Sequence, residues 1–230
     1  MDTRLLLISH ASTAAMRAGR FPADDPLDAR GLAEAAAARA RLSIPDDAAV
    51  FVSPAVCARD TASALGLGAA ALSQGASVDE GLADMNYGLW HGRRLADLAV
   101  EAPHDIAAWT HDPDAAAHGG ESFSQLVKRV GQWLDALNDA WSEDVTRATD
   151  RASNDGANEA RNRTLREKTS VIPSTTQNVV AVTHAPVIRA AIVHALGASP
   201  AVFPRIEIAP LSMVELRRSR RGWTWWPASQ

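Results

Sequence analysis

The chain has 230 residues, a formal net charge of −4 and a sequence pI of about 6.0. That balance offers no electrostatic footprint for nucleic acid, and no apolar stretch approaches the ~20 residues that span a bilayer. The one cysteine, Cys57, excludes an internal disulfide framework and CxxC metal sites and fits a reducing, cytoplasmic setting.

In chain order, residues 4–8 predict a first strand, an apolar run of the kind buried in parallel sheets. Residues 9–27, broken by Gly19, Pro22 and Pro26, predict a loop over its end. Asp28 suits the N-cap of a helix over about 29–42. Residues 49–53 predict a second strand, and Pro54 the first turn of a helix over about 55–66 that Gly66 and Gly68 end. A short strand follows near 76–80, then helices at 93–101 and 103–110 and a turn at Gly119-Gly120-Glu121-Ser122. Over 122–141, Phe123, Leu126, Val127, Val130, Trp133, Leu134 and Leu137 mark one face of a helix, with Glu121 as its cap.

Residues 142–177, rich in Asn, Thr, Ser, Arg and Glu, predict a disordered surface insertion. A strand over 178–183, a helix over about 185–196 ended by Gly197 and a helical piece near 200–204 come next. Strands near 206–216 and 223–227, joined by a solvated arginine-rich turn, close the chain. Strands alternating with helices predict one α/β domain over 1–230. It is a three-layer α/β/α sandwich whose central sheet is mostly parallel with an antiparallel edge.

Two histidines stand where predicted strands stop: His10 after Leu5-Leu6-Leu7-Ile8-Ser9, and His184 after Val179-Val180-Ala181-Val182-Thr183. Open α/β sheets bind ligands in the crevice beyond the carboxyl ends of their strands. The two histidines together therefore mark a candidate site. His91, His104, His111 and His118 share no metal-ligand spacing on one helix face and read as surface residues. Cys57 alone reads as a small helix residue, Arg129 as half of a structural ion pair, and Ser12 and Thr13 as turn caps or phosphate contacts.

Six pieces in order resemble the histidine phosphatase, or phosphoglycerate mutase-like, superfamily. Ser9-His10-Ala11 stands where the family has Arg-His-Gly. Pro26-Leu27-Asp28 with Gly31 and Ala35 resembles its Pro-Leu-Thr-x-x-Gly-x-x-Gln-Ala. Ser53-Pro54 with Cys57, Thr61 and Ala62 resembles its Ser-Pro-Leu-x-Arg-Ala-x-x-Thr-Ala. The stretch from Asp84 through Tyr87, Gly88 and Trp90 to Gly92 resembles Glu-x-x-Phe-Gly-x-Trp-x-Gly. Gly120-Glu121-Ser122 with Arg129, and Thr183-His184-Ala185 with Arg189, supply the last two.

The resemblance implies a phosphoglycerate mutase-like fold and metal-free, cofactor-free hydrolysis of a small phosphate monoester through a phosphohistidine intermediate. His10 is then the nucleophile, Asp84 the acid on the leaving oxygen, and His184 a phosphate contact. Ser9, Thr13, Arg20, Cys57 and Ala185 are the implied substrate-binding positions. Both phosphate-binding arginine positions are changed, to Ser9 and Cys57, which predicts low or altered activity. Arg17, Arg20 and Arg59 are the candidate replacements; Arg59, two residues beyond Cys57, falls on the wrong helix face. The alternatives are a catalytically degenerate binding or regulatory protein and mutase-type phosphoryl transfer. The expected partner is a small phosphorylated metabolite, with no nucleic acid or membrane, and a homodimer is left open.

Overall fold

Leu5–Ile8 form the centre of β1 (Asp2–Ser9), which runs through the middle of the sheet and is buried on both faces. The computed structural model describes residues 2–67, 76–137 and 176–227. The predicted insertion lies outside them, apart from Thr176 and Gln177, which already belong to a strand. The strands are β2 (Ala49–Val52), β3 (Ala76–Val78), β4 (Thr176–Thr183), β5 (Met213–Ser219) and β6 (Gly222–Trp226). They form one sheet in the order β3-β2-β4-β1-β5-β6. The first four are mutually parallel; β5 runs antiparallel to β1, and β6 antiparallel to β5.

Successive strand residues point to opposite faces, and both faces here are covered. Leu5, Leu7, Val179 and Ala181 enter the larger core with Leu126, Val130, Leu134, Val187 and Ile188. Leu6, Ile8, Val180 and Val182 enter a second core with Ala38, Ala58 and Ala62. Helices α2 (Ala29–Ala38) and α3 (Val56–Ala64) therefore cover one side of the sheet. The other side is covered by the helical residues 123–137 (α6) and α7 (Ala185–Ala195). The four-residue α1 (Ala14–Arg17) lies in the loop after β1, while α4 (Leu95–Glu101) and α5 (Pro103–His111) follow the Asp84 segment. Among the described residues no helix is long and apolar enough to cross a membrane.

The predicted strand over 206–216 begins only at Met213. Ile206 and Ile208 pack on the larger core from a loop after the 3-10 turn Pro200–Arg205. Pro210 has no N–H to give a ladder, and Leu211 takes a left-handed φ of 58°. The arginine-rich turn is narrower than predicted, because Arg217 and Arg218 lie within β5.

The cap of α6 is Ser122, not Glu121. Ser122 Oγ accepts the Gln125 N–H at 3.2 Å, and Gln125 Oε1 accepts the Ser122 N–H at 2.8 Å, a reciprocal capping box. Ser122→Ala is expected to cost ~1 kcal/mol of stability, read as a lower urea midpoint with an unchanged slope. An unchanged midpoint would show that the box contributes nothing.

Candidate active site

Parallel pairing of β1 with β4 places Ser9 opposite Thr183, so the next residue of each strand is a histidine at the same edge of the sheet. The His10 N–H donates to Thr183 O at 2.9 Å, and the two imidazole centroids are 5.0 Å apart at 64°. His10 is 8 % exposed and His184 2 %. The residues line a cleft of about 480 Å³ together with Thr13, Cys57, Asp84 and Ala185.

The tautomer of His10 is set by its neighbour. Nδ1 lies 2.8 Å from Ala11 O, a pure acceptor, so Nδ1 carries the proton and Nε2 keeps its lone pair. The Ala11 N–H donates to Thr61 Oγ1 at 3.0 Å, and Thr61 Oγ1 donates to Cys57 O at 2.7 Å. These bonds tie the His10 turn to the first turn of α3, and with it to Cys57. Burial, and then the nearby His184, lower the His10 pKa to about 4.

His184 is oriented by Ser53, whose Oγ lies 2.8 Å from its Nε2 and also accepts the Ala55 N–H. Its Nδ1 is buried without a hydrogen bond and stands 3.3 Å from Asp84 Oδ2. Burial first, then Arg129, lower the His184 pKa to about 3. The ring is therefore neutral at ordinary pH. Burial raises the Asp84 pKa to about 6, against the opposing pull of His10 and of the Met85 N–H on Oδ1. Burial likewise pushes the Cys57 thiol up to about 12.

Arg129 anchors the segment that carries Asp84. It pairs with Glu121 at 2.9 Å and donates to the carbonyls of Gly81, Ala83 and Asp84 at 3.0–3.2 Å. Two glycines let that segment lie against the 118–121 turn. A Cβ at Gly88, where φ is +48°, would stand 2.1 Å from His118 O, and one at Gly120 would stand 2.0 Å from Asn86 O. His118 is fully buried, with Trp90 4.9 Å from its ring, so the expectation of a surface residue fails.

Two predicted substrate contacts do not line the cleft. Ser9 is covered, with its N–H on Ser212 O and its carbonyl accepting the Leu211 N–H. Arg20 is exposed; its guanidinium donates to Gly92 O at 3.1 Å, and its backbone bridges to Arg94. Neither of the other candidate cations enters. Arg17 pairs with Asp28, and Arg59 is exposed outside the cleft. Among the described residues no arginine or lysine lines the cleft, while Asp24 and Asp25 do, beside Met16, Pro22, Met85, Tyr87 and Pro186. Sequence reasoning missed Ser53 as an orienting residue, although the Ser53-Pro54 piece was visible. It also missed the Asp24-Asp25 pair in the loop after β1, for which adjacent carboxylates beside a site loop were the available signal.

The sequence model described as the histidine phosphatase superfamily (branch 1) matches residues 5–149 and 140–226. A bifunctional protein of Mycobacterium tuberculosis is 32 % identical over 138 residues, 59 % of this chain and 37 % of that protein. The match thus spans little more than a third of the relative. Among solved structures, the mycobacterial glucosyl-3-phosphoglycerate phosphatase superposes with a TM-score of 0.73 at 23 % identity, covering 100 % of both chains. The α-ribazole phosphatase of Shigella flexneri gives 0.72 at 21 %, covering 97 % of this chain and 94 % of that one.

Proposed function

The chain belongs to the histidine phosphatase superfamily, and from that premise we propose that it hydrolyses small phosphate monoesters slowly through a phosphorylated His10. The observation that carries this reading is the His10 Nδ1–Ala11 O bond, which leaves Nε2 as a lone pair beside an acid of raised pKa. Nε2 attacks phosphorus, the ester P–O bond breaks, and protonated Asp84 gives its proton to the departing oxygen. Asp84, now a carboxylate, takes a proton from the water that displaces His10 from phosphorus. The slow rate follows from the lining. Charge on the phosphoryl oxygens meets no guanidinium among the described residues, and removing a single electrostatic donor costs ~10²–10³ in comparable sites. Apolar Met16, Met85, Tyr87 and Pro186 favour an ester with an apolar leaving group.

The protonation states give the pH dependence its sign. His10 must be neutral, which holds above about 4, and Asp84 must be protonated, which holds below about 6. Hydrolysis of p-nitrophenyl phosphate is expected to peak between those values, with kcat/KM falling tenfold per pH unit well above 6. Asp84→Asn should lower the rate and abolish the alkaline fall. A rate that climbs from pH 6 to 8 would overturn Asp84 as the acid.

A second reading is favoured by Asp24 and Asp25 in the lining. With Asp84 they make the cleft acidic, which suits a binding protein that has lost phosphoryl transfer and takes an uncharged or cationic ligand. The absence of any His10-dependent hydrolysis would favour it.

A further inference from the structure

We propose that His10, Cys57 and His184 form a binding site for a thiophilic divalent metal ion of the zinc type. One nitrogen from each ring and the Cys57 sulfur all lie within 4.8 Å of one another, and all three residues are buried. The donor set has the composition of zinc centres that keep an open position: three protein ligands of nitrogen and sulfur type.

The lone pairs are available. His10 commits Nδ1 to Ala11 O and keeps Nε2 free. His184 has Nε2 against Ser53 Oγ, while its buried Nδ1 has no hydrogen bond. A buried polar atom without a partner is costly and calls for an explanation; a metal ion supplies one. The two bonds that leave these nitrogens free also hold the rings, as the outer hydrogen bonds of metal-ligating histidines do.

Charge agrees with the assignment. A divalent ion would meet the Cys57 thiolate and the Asp84 carboxylate, whose Oδ2 stands 3.3 Å from His184 Nδ1. Two negative charges balance two positive ones. Asp24 and Asp25 add negative field at the cleft, and among the described residues no cationic side chain lines it to compete. Binding releases one proton, from the Cys57 sulfur, as the metal–sulfur bond forms. Tetrahedral bonds of ~2.1 Å to nitrogen and ~2.3 Å to sulfur bring donor atoms to within ~4 Å of one another, inside the 4.8 Å that bounds their spacing here. Sulfur selects zinc, cobalt or copper over magnesium and calcium.

This site goes beyond the hydrolytic reading and excludes it while occupied, since His10 Nε2 cannot bind a metal and attack phosphorus at once. The test uses the untagged chain, without phosphate ester. Titration with Co2+ is expected to saturate at one equivalent, with an intense near-ultraviolet sulfur-to-cobalt band that Zn2+ abolishes and Mg2+ leaves unchanged. Cys57→Ser should lose the band while keeping the circular dichroism of the wild type, and should bind Zn2+ more than about 100-fold more weakly. His10→Asn should also weaken Zn2+. No sulfur band in the wild type at stoichiometric Co2+, or equal Zn2+ affinity in wild type and Cys57→Ser, overturns the proposal. The wild-type spectrum decides alone if a variant fails to fold. A chain that binds metal but hydrolyses nothing sinks the phosphatase reading only; one that hydrolyses but shows no sulfur band sinks the metal site only.

Discussion

Cys57→Arg is expected to raise kcat/KM for p-nitrophenyl phosphate by about 10²-fold. Cys57 stands in the first turn of α3, is 6 % exposed and lines the cleft beside His10 and His184. A guanidinium there places a fixed positive charge and two parallel N–H donors on the phosphoryl group, the contact that planar arginine makes and a neutral thiol cannot. The wider residue has open volume to enter, so the expected cost in stability stays within the 1–3 kcal/mol of ordinary overpacking. A thermal melt of the variant checks that figure. The gain must vanish in Cys57→Arg/His10→Ala, otherwise it reports a new activity. If a folded Cys57→Arg hydrolyses no faster than wild type, the missing cation is not what limits the site. Asp24 and Asp25 would then be the next residues to neutralise.

The second large effect concerns the proposed nucleophile. His10→Ala is expected to reduce turnover by at least about 10³-fold, or to background, because the covalent route disappears with the ring. Acid-labile, alkali-stable label from a radioactive ester should appear on wild type and be absent from the variant. The substitution also frees Ala11 O from its side-chain donor, which costs on the order of 1–3 kcal/mol and leaves the fold intact for the comparison. Equal rates in wild type and His10→Ala would end the phosphohistidine mechanism.

The central strands were legible because Leu5–Ile8 and Val179–Val182 are buried on both faces, which demands continuous apolar runs. The antiparallel edge was legible in outline, but residues 206–212 were not. Ile206 and Ile208 alternate like a strand while anchoring a loop to the core, and alternation cannot tell the two apart. His118 read as a surface residue because nothing local announces that Trp90 and Tyr87 will close over it. In the candidate site, the two histidines could be found at the ends of predicted strands, and Asp84 from the resemblance of its segment to the family. The destination of Arg20 could not, since it is decided by the Gly92 carbonyl 72 residues away. The resemblance implied a loss of charge at Ser9 and Cys57. The same resemblance put Cys57 at the site with both histidines, and in the structure its sulfur lies within 4.8 Å of a nitrogen of each ring.

The position of β1 in the sheet has a consequence for how the chain folds. Its neighbours on either side are β4 and β5, with Asp2 against Thr176 and Thr3 against Arg218. β1 therefore stays unpaired until the strands that begin at Thr176 and Met213 have been made. Contacts of such sequence separation make folding slow, and an unpaired apolar strand is a template for aggregation in the interval. Yield during expression should depend on how long Leu5–Ile8 stay uncovered, so slower synthesis or a holding chaperone acts at β1.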